Sequence, residues 1–308
     1  MRLMKTLPKI VVLGTSAATP KPKRHLSSYY FEHEGIGILL DAGEGTQYQL
    51  MRAGIRFSKI KVVVISHLHG DHVLGLPGLI ETMSMGSRRE ELQIIAPKGI
   101  RELLECSFKY TYFKPSFPIY IFEIEENEEF EMSIGNYVRV KVFPVNHIVP
   151  SIGTKITVGG KRKVMKEKLE EMGVPKRLWA KIQNCEDVHF RGQRLSCDEF
   201  TIPPKELKIV YSGDTAPCTR IINESENADV LIHEATFTKE LKDEANERGH
   251  STAMDAAIVA SKAKVKMLVL THFSARYENL GKFLDEAKQF FENTYLASEF
   301  MKIIVKRD

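Results

Sequence analysis

The chain has 308 residues, of which 43% are hydrophobic and 27% charged, and a formal net charge of +4, which is ordinary for a soluble globular protein. No apolar run approaches a membrane span or a signal peptide. The four cysteines have no CxxC spacing, which argues against a disulfide framework and a cysteine zinc knuckle. We therefore expect a reduced, cytoplasmic protein with no membrane partner.

Short β-branched runs bounded by Gly, Asp, Ser or Thr predict buried strands along the whole chain. In chain order these are residues 10–13, 36–40, 62–65, 209–211, 230–232 and 267–270, and residues 138–142 alternate like a strand with one solvated face. Helical spacing predicts helices over residues 74–86, 252–264 and 278–293. This alternation predicts α/β layers in a single domain, residues 1–308.

Two segments break the pattern of strands and helices. Residues 123–131 are acidic and are predicted to form a solvated hairpin or loop. Residues 155–181 contain nine Lys or Arg against three Glu, so this stretch alone exceeds the net charge of the chain. A basic cluster of this kind fits a polyanion partner, although a solvated helix face is an equally common origin. We interpret residues 155–185 as an inserted basic arm.

A run of metal-binding residue types follows the strand at residues 62–65. It reads Ser66-His67-Leu68-His69-Gly70-Asp71-His72. Imidazole and carboxylate groups are the ligands that zinc and related divalent ions take in hydrolytic sites. A single histidine is usually structural, but three histidines and an aspartate packed this closely would be costly to bury without a cation. The run therefore predicts a metal site.

Three further candidate ligands also follow apolar strands. His147 comes after the alternating strand, Asp214 after residues 209–211, and His272 after residues 267–270. Each alone is weak evidence, but all three occupy the carboxyl end of a strand, where a rigid sheet can present site residues on loops. We expect one shared site.

The pattern His67-x-His69-x-Asp71-His72, with the later His147, Asp214 and His272, resembles the metallo-β-lactamase superfamily. The resemblance implies a four-layer αβ/βα sandwich of two mixed sheets with helices outside. It also implies that His67, His69 and His147 hold a first metal, that Asp71, His72 and His272 hold a second, and that Asp214 bridges them. Two Zn²⁺ per subunit are expected, and the ligand types also admit Mn²⁺ or Co²⁺.

Six further motifs, in order along nearly the whole chain, resemble ribonuclease Z (tRNase Z). They are Gly14-Thr15-Ser16, the segment Asp41 to Gln47, Ser212-Gly213-Asp214-Thr215, His233-Glu234-Ala235-Thr236-Phe237, Gly249-His250-Ser251-Thr252-Ala253, and the segment Thr271 to Tyr277. The resemblance implies an endoribonuclease that removes the 3′ trailer from precursor tRNA and leaves a 3′-hydroxyl. It also implies a homodimer in which the arm of one subunit grips the tRNA cut by the other.

The metal site itself leaves other functions open. One alternative is a small-molecule phosphodiesterase or ester hydrolase on the same dinuclear site. Another is an RNA-binding relative without activity, which the complete ligand set argues against.

The resemblance assigns catalytic roles to three residues. Asp71 would orient the attacking water or take its proton, and His250 would protonate the leaving 3′-oxygen. Glu234 would hold the imidazole of His250 in its useful tautomer. From the residues alone, His250 caps the helix that starts near Ser251, and Glu234 is a surface carboxylate.

The predicted RNA contacts are basic residues of the arm and of an N-terminal loop. They are Lys161, Arg162, Lys163, Lys166, Lys176, Arg177, Lys23 and Arg24. The chain departs from the family pattern at both places. The N-terminal loop reads Pro20-Lys21-Pro22-Lys23-Arg24-His25, with the lysine displaced, and the arm lacks the Gly-Pro pair after Gly173-Val174-Pro175. The backbone shape at Lys176 and Arg177 therefore does not follow from the resemblance.

Overall fold

The structure is a computed structural model that describes residues 7–307; part of the N-terminal stretch in which we expect no signal peptide lies outside it. Its strands are β1 (Lys9–Gly14), β2 (Ser16–Ala17), β3 (Ser28–His33), β4 (Ile36–Leu40), β5 (Ile60–Val64), β6 (Leu92–Pro97), β7 (Ile119–Ile124), β8 (Phe130–Ile134), β9 (Val138–Pro144), β10 (Ile152–Val158), β11 (Lys163–Val164), β12 (His189–Phe190), β13 (Gln193–Arg194), β14 (Thr201–Ile202), β15 (Leu207–Tyr211), β16 (Val230–Glu234), β17 (Leu268–Thr271), β18 (Phe273–Ser274), β19 (Thr294–Leu296) and β20 (Lys302–Ile304).

Within residues 7–307 the helices are fewer than the strands. They are α1 (Thr46–Arg52), α2 (Gly70–Val73), α3 (Gly75–Met85), α4 (Ile100–Tyr110), α5 (Lys166–Glu171), α6 (Lys176–Gln183), α7 (Cys197–Phe200), α8 (Thr219–Glu224), α9 (Lys242–Glu247), α10 (Ala253–Ala263) and α11 (Gly281–Lys288), with 3₁₀ turns at Phe57–Lys59 and Lys239–Leu241. No helix within residues 7–307 is long and apolar enough to cross a membrane.

Two seven-stranded mixed sheets form the body of the protein. The first has the order β20-β1-β3-β4-β5-β6-β7 and is parallel from β4 to β7. The second has the order β19-β17-β16-β15-β10-β9-β8 and is parallel from β15 to β19. In each sheet the remaining neighbouring strands are antiparallel.

The alternation of side chains along the central strands builds four layers. Ile38 and Leu40 of β4 and Ile209 of β15 point into one core between the sheets. Leu39, between the first two, packs outward in a core with α3 and α4, and Val210 packs outward with α8 and α10. Because neighbouring strand residues face opposite sides of a sheet, strands covered on both faces are apolar throughout. The predicted αβ/βα sandwich is the observed architecture.

The predicted strands are all present, and the helix predictions need adjustment. The segment 74–86 forms α3, preceded by the separate short α2. Thr252 caps α10 in a reciprocal capping box with Asp255. The helix predicted over 278–293 covers only Gly281–Lys288, and the side chain of Asn279 accepts the first N–H of that helix. Within the acidic segment, residues 125–129 form a loop that connects β7 of the first sheet to β8 of the second, so the segment is not a hairpin.

The turn that carries the His-rich run interlocks with the loop after β4. Ala42 N–H donates to the carbonyl of His72 and Gly75 N–H donates to the carbonyl of Ala42, both at 2.8 Å. A Cβ atom on Gly75 would lie 2.1 Å from the carbonyl oxygen of Gly43, so only glycine permits this approach. These contacts therefore fix the turn with the His-rich run to the loop that follows β4 of the first sheet.

Residues 159–206, called the arm below, leave the second sheet after β10 and return to it at β15. Its bounds differ from the predicted 155–185, because residues 155–158 complete β10 between two neighbouring strands. The arm has its own small core, formed by Leu169, Val174, Ile182, Val188, Leu195 and Phe200. A disulfide joins Cys185 to Cys197, so the expectation that the cysteines stay reduced is wrong for this pair.

Lys155 belongs to an ion cluster on the second sheet and not to the arm. Glu224 at the end of α8 accepts a hydrogen bond from Lys141 of β9 at 2.7 Å and pairs with Lys155 of β10. Burial would raise the pKa of Glu224, but the two lysines outweigh it and hold the pKa below its usual range. The carboxylate thus ties α8 to the sheet.

We predict that Glu224→Gln lowers the Tm at pH 7 by roughly 2–4 °C. Because the pKa of Glu224 is lower in the folded than in the unfolded state, the carboxylate stabilises the fold above the unfolded pKa, and this contribution fades as the pH falls below it. Differential scanning calorimetry should therefore show a gap between variant and wild type that closes toward pH 3. Glu226→Gln, at an exposed neighbouring position, is the control; a gap independent of pH would contradict the assignment.

Candidate metal centre

The ends of four strands bring the seven predicted ligands to one place. The run after β5 supplies four of them, and the segments after β9, β15 and β17 supply one each. Their ligand atoms fall into three groups in which all atoms lie within 4.8 Å of one another: His67, His69 and His147; Asp71, His72 and His272; and His67, His72 and Asp214. These seven residues are called the metal cluster below.

In the first group, ring nitrogens face a common point. The Nδ1 atom of His69 lies 3.1 Å from Nε2 of His67 and 3.4 Å from Nε2 of His147. Two of the outer ring nitrogens are held in place, because His147 Nδ1 donates to the carbonyl of Gly249 at 2.7 Å and His67 Nδ1 lies 3.0 Å from Ser66 Oγ. These outer contacts set the tautomers so that the inner nitrogens present lone pairs.

The second group is built in the same way. The Nε2 atoms of His72 and His272 lie 3.2 Å apart, and Asp71 Oδ2 is 3.5 and 3.4 Å from them. His72 Nδ1 donates to Asp41 at 2.7 Å, and His272 Nδ1 donates to Thr236 Oγ1 at 2.9 Å. Burial would raise the pKa of Asp71, but the contacts of its carboxylate with the two histidines outweigh burial and hold the pKa below its ordinary value.

Asp214 lies between the two groups. Its Oδ2 atom is 3.6 Å from His67 Nε2 and 3.4 Å from His72 Nε2, and the residue is only 2% exposed. Its Oδ1 atom is buried without a hydrogen bond from any described residue, and Nδ1 of His272, which lies 3.4 Å from it, already donates to Thr236. A buried carboxylate oxygen in that state is costly unless a cation or donor satisfies it. Nitrogen and carboxylate donors around such an atom fit a divalent metal site.

Asp41 is a site residue to which the sequence interpretation gave no role. It follows β4, is fully buried and has a φ of 57°. Besides His72, it accepts hydrogen bonds from Ser66 N–H at 2.6 Å and from Tyr211 O–H at 2.6 Å. Burial and the negative charge of Asp41 raise the pKa of Tyr211 well above its ordinary value. An aspartate at the end of an apolar strand, as at Asp214, was the available signal.

His250 and Glu234 form a buried pair beside the metal cluster. His250 Nδ1 donates to Glu234 Oε1 at 2.8 Å and lies 3.9 Å from Asp214 Oδ2. Burial alone would lower the pKa of His250, but the Glu234 carboxylate raises it to about 9. Thr236 donates to the other Glu234 oxygen at 2.7 Å. Glu234 is buried rather than a surface group, and Thr252 rather than His250 caps α10.

An open cleft of about 650 Å³ lies over the metal cluster and this pair. Two arginines that we did not predict as site residues, Arg248 and Arg276, line it. Arg276 stacks over the ring of Phe237, with 4.9 Å between the guanidinium and the ring centroid. Both guanidinium groups contact Glu244 Oε1, at 3.1 Å from Arg248 and 3.9 Å from Arg276. Guanidinium groups beside a metal site suit a phosphate-bearing substrate.

The N-terminal basic loop contacts this cleft through the backbone. Ala18 N–H donates to Asp71 Oδ2 at 2.7 Å. Arg24 is half-buried and donates to the carbonyl of Tyr277 at 2.6 Å, and burial lowers its pKa. Lys21 pairs with Glu278, whereas Lys23 is exposed. Arg24 therefore holds the segment that carries Arg276, and of the two predicted RNA contacts only Lys23 is fully available.

Comparison with known proteins gives the family. The chain is 53% identical over 297 residues to a ribonuclease Z of Ignicoccus hospitalis, covering 96% of this chain and 98% of the relative. The chain belongs to the ribonuclease Z family. A ribonuclease Z of Sulfurisphaera tokodaii is 38% identical, with 97% and 98% of the two chains covered. Residues 8–294 also match the family model described as anti-Pycsar protein Apyc1, and the chain belongs to that family of sequences too.

Solved structures agree with the fold. The short form of human tRNase Z is 28% identical with a TM-score of 0.72, and the match covers 97% of this chain and all of that one. The metallo-β-lactamase fold protein YhfI of Bacillus subtilis has a TM-score of 0.70 at 20% identity, covering 97% and 99%. The metallo-β-lactamase fold is thereby confirmed, and the chain is a hydrolytic nuclease of this superfamily.

We predict that Asp41→Asn weakens metal binding by about 10–100-fold, because an amide cannot hold His72 in its tautomer as a carboxylate does. Inductively coupled plasma mass spectrometry of protein dialysed against a metal buffer would measure the bound metal. Asp229→Asn, which removes a buried carboxylate at the opposite end of β16, should leave metal content unchanged. Equal metal content in wild type and Asp41→Asn would remove Asp41 from the site.

Proposed function

We propose that the chain is a metal-dependent endoribonuclease that removes the 3′ trailer from precursor tRNA and leaves a 3′-hydroxyl. The curated relatives named ribonuclease Z support this substrate. The observation that carries the chemistry is the buried His250–Glu234 pair next to the metal cluster, because a phosphodiester with a poor leaving group needs a proton donor. The alternative of a small-molecule phosphodiesterase or ester hydrolase is not favoured. Precursor tRNA is an intracellular substrate, so the proposal includes a cytoplasmic location.

The proposal includes two Zn²⁺ per subunit, with Mn²⁺ or Co²⁺ as substitutes. His67, His69 and His147 would hold one ion, Asp71, His72 and His272 the other, and Asp214 would contact both. The unsatisfied Oδ1 atom of Asp214 and the two groups of converging nitrogens support this division. Two bound cations would stabilise negative charge on the attacking and leaving oxygens of a phosphoryl displacement.

The protein residues would orient the water and move the protons. Asp71, held by Ala18 N–H, would orient the attacking water and accept its proton. His250 would donate a proton to the leaving 3′-oxygen of the tRNA from Nε2, because Nδ1 is bonded to Glu234. Glu234 accepts four hydrogen bonds, including one from Thr215 N–H at 2.9 Å, so it is fixed as the partner of the imidazole.

We predict that Asp71→Ala lowers the rate of precursor cleavage by about 10²–10⁴-fold or more while the protein stays folded, as expected for loss of a catalytic base. His250→Gln should lower it by about 10²–10⁴-fold as well. The two variants differ in one respect: His250→Gln should retain the wild-type metal content, because in this proposal His250 is an acid and not a ligand.

Cleavage of bis(p-nitrophenyl) phosphate distinguishes a general-acid role of His250 from a role in metal binding or folding. The leaving group of this substrate needs no protonation, so His250→Gln should cleave it almost as fast as the wild type does. Metal loss in His250→Gln, or an equal defect on both substrates, would contradict the acid assignment. Full precursor cleavage by Asp71→Ala would remove Asp71 from the mechanism.

The arm supplies the proposed RNA-binding surface. Lys161, Lys163 and Lys166 are exposed, and Lys176 and Arg177 begin α6 directly after Pro175. The turn before them uses Gly173, whose φ is 69°, and a Cβ atom there would lie 3.8 Å from Nη2 of Arg191 on the β12–β13 hairpin. Arg162 instead pairs with Asp198 inside the arm at 2.6 Å, so its contribution is structural.

We predict that replacing residues 161–202 by a short Gly-Ser linker reduces precursor-tRNA binding by at least tenfold while cleavage of bis(p-nitrophenyl) phosphate continues. These bounds remove the arm's core as a unit and spare the strands of the second sheet. Filter binding across a salt series would measure the affinity, which should fall steeply with salt for the intact protein. Unchanged precursor cleavage by the deletion variant would refute the role of the arm.

A homodimer is part of the proposal. Tyr48 and Met51 of α1 are 58% and 52% exposed, and Leu74 at the start of α3 is 59% exposed. The two helices pack together, with Thr82 donating to Gln47 at 2.9 Å, and exposed apolar side chains on adjacent elements favour burial against a second subunit. We predict a dimer mass by light scattering and a shift toward monomer in the double variant Tyr48→Ser, Met51→Ser. A monomeric wild type would contradict this.

A further inference from the structure

The root of the arm consists of two adjacent chain segments. One leaves β10 through Gly159 and Gly160, and the other returns through Pro203 and Pro204 to β15. Beyond this root the arm's helices and strands pack around their own core. A cleft of about 1020 Å³ separates the arm's Lys161 and Asn184 from Tyr137 in the turn between β8 and β9. The orientation of the arm therefore depends on the root.

Arg307, past the last strand, bridges the two root segments. Its Nε atom donates to the carbonyl of Lys205 at 2.9 Å, on the returning segment. Its Nη2 atom donates to the carbonyls of Val158, at 3.3 Å, and Gly159, on the departing segment. A single planar guanidinium thus binds carbonyl groups on both sides of the root, which a lysine ammonium on its flexible stem cannot reproduce.

The backbone at the root is shaped to receive this side chain. A Cβ atom on Gly160 would lie 3.0 Å from Nη2 of Arg307, so the guanidinium lies against the bare glycine backbone. Gly159 is held from the other side as well, because its N–H donates to the carbonyl of Tyr137 at 2.7 Å. Arg139 and Glu206 add an ion pair of 3.0 Å beside the returning segment.

We propose that Arg307 is a positioning residue that fixes the orientation of the arm relative to the metal cleft. This inference rests on the proposed function, in which tRNA held by the arm must place its 3′ end over the metal cluster. An arm free to swing about Gly159 and Gly160 still binds RNA but presents the scissile bond less often. Small substrates, which do not use the arm, are unaffected.

The test compares Arg307→Ala and Arg307→Lys with Lys306→Ala, which removes an adjacent exposed cation. Hydrogen–deuterium exchange should become faster in peptides covering residues 159–165 and 203–207 for both Arg307 variants. Their kcat/KM for precursor tRNA should fall by about tenfold, as for lost hydrogen bonds to a charged group. Turnover of bis(p-nitrophenyl) phosphate should stay at the wild-type level, and Lys306→Ala should match the wild type throughout.

The outcomes separate this inference from simpler explanations. If Arg307 contacts a phosphate directly, Arg307→Lys keeps activity and Arg307→Ala lowers the salt slope of binding by about one; that result overturns the proposal. Unchanged exchange at the root also overturns it, as does faster exchange with unchanged precursor cleavage. A wild-type protein that leaves precursor tRNA uncut contradicts the proposed function instead, and the exchange data alone then decide whether Arg307 holds the root.

Discussion

Burial of the Asp214 carboxylate among histidines is the constraint on which the site depends. One of its oxygens has no hydrogen bond from any described residue, and the side chain is almost fully buried at the base of the cleft. Such a group is tolerated only beside a compensating positive charge, and a divalent cation held by these histidines would supply it. Four strands of the sandwich end at one edge. As a result, ligand atoms from residues far apart in sequence lie within 4.8 Å of one another in each group.

Holding the ligands there requires unusual backbone. Asp41 and His272 both have a φ of 57°, at the ends of β4 and β17. Left-handed conformations at residues other than glycine cost on the order of 1–3 kcal/mol and persist where surrounding contacts over-determine them. The hydrogen bonds of Asp41 to Ser66 and Tyr211 are contacts of that kind. The backbone geometry of the site therefore lowers the free energy of unfolding of the protein.

The sequence predicted the ligands because each follows a strand whose apolar pattern is unmistakable, and parallel strand ends meet at one edge. Asp41 obeys the same rule, but its partners are separated from it by up to 170 residues, so its role appears only in three dimensions. Lys155 was assigned to the arm because charge was counted along the chain, whereas Glu224 neutralises it across the sheet. The Cys185–Cys197 pair has a separation of 12, which carries no pairing signal.

The disulfide between Cys185 and Cys197 gives the arm a covalent cross-link in addition to its packed core. Six buried apolar side chains and five partly buried ones form a small core, and in small folded units of this kind a covalent staple commonly adds to the stability. The cross-link lowers the entropy of the opened segment by closing a loop within it. The two cysteines of the body, Cys106 and Cys218, are free, so the described part of the body contains no disulfide. Reduction of the Cys185–Cys197 disulfide would therefore loosen the proposed RNA-binding surface and leave the metal cluster, which contains no cysteine, in place.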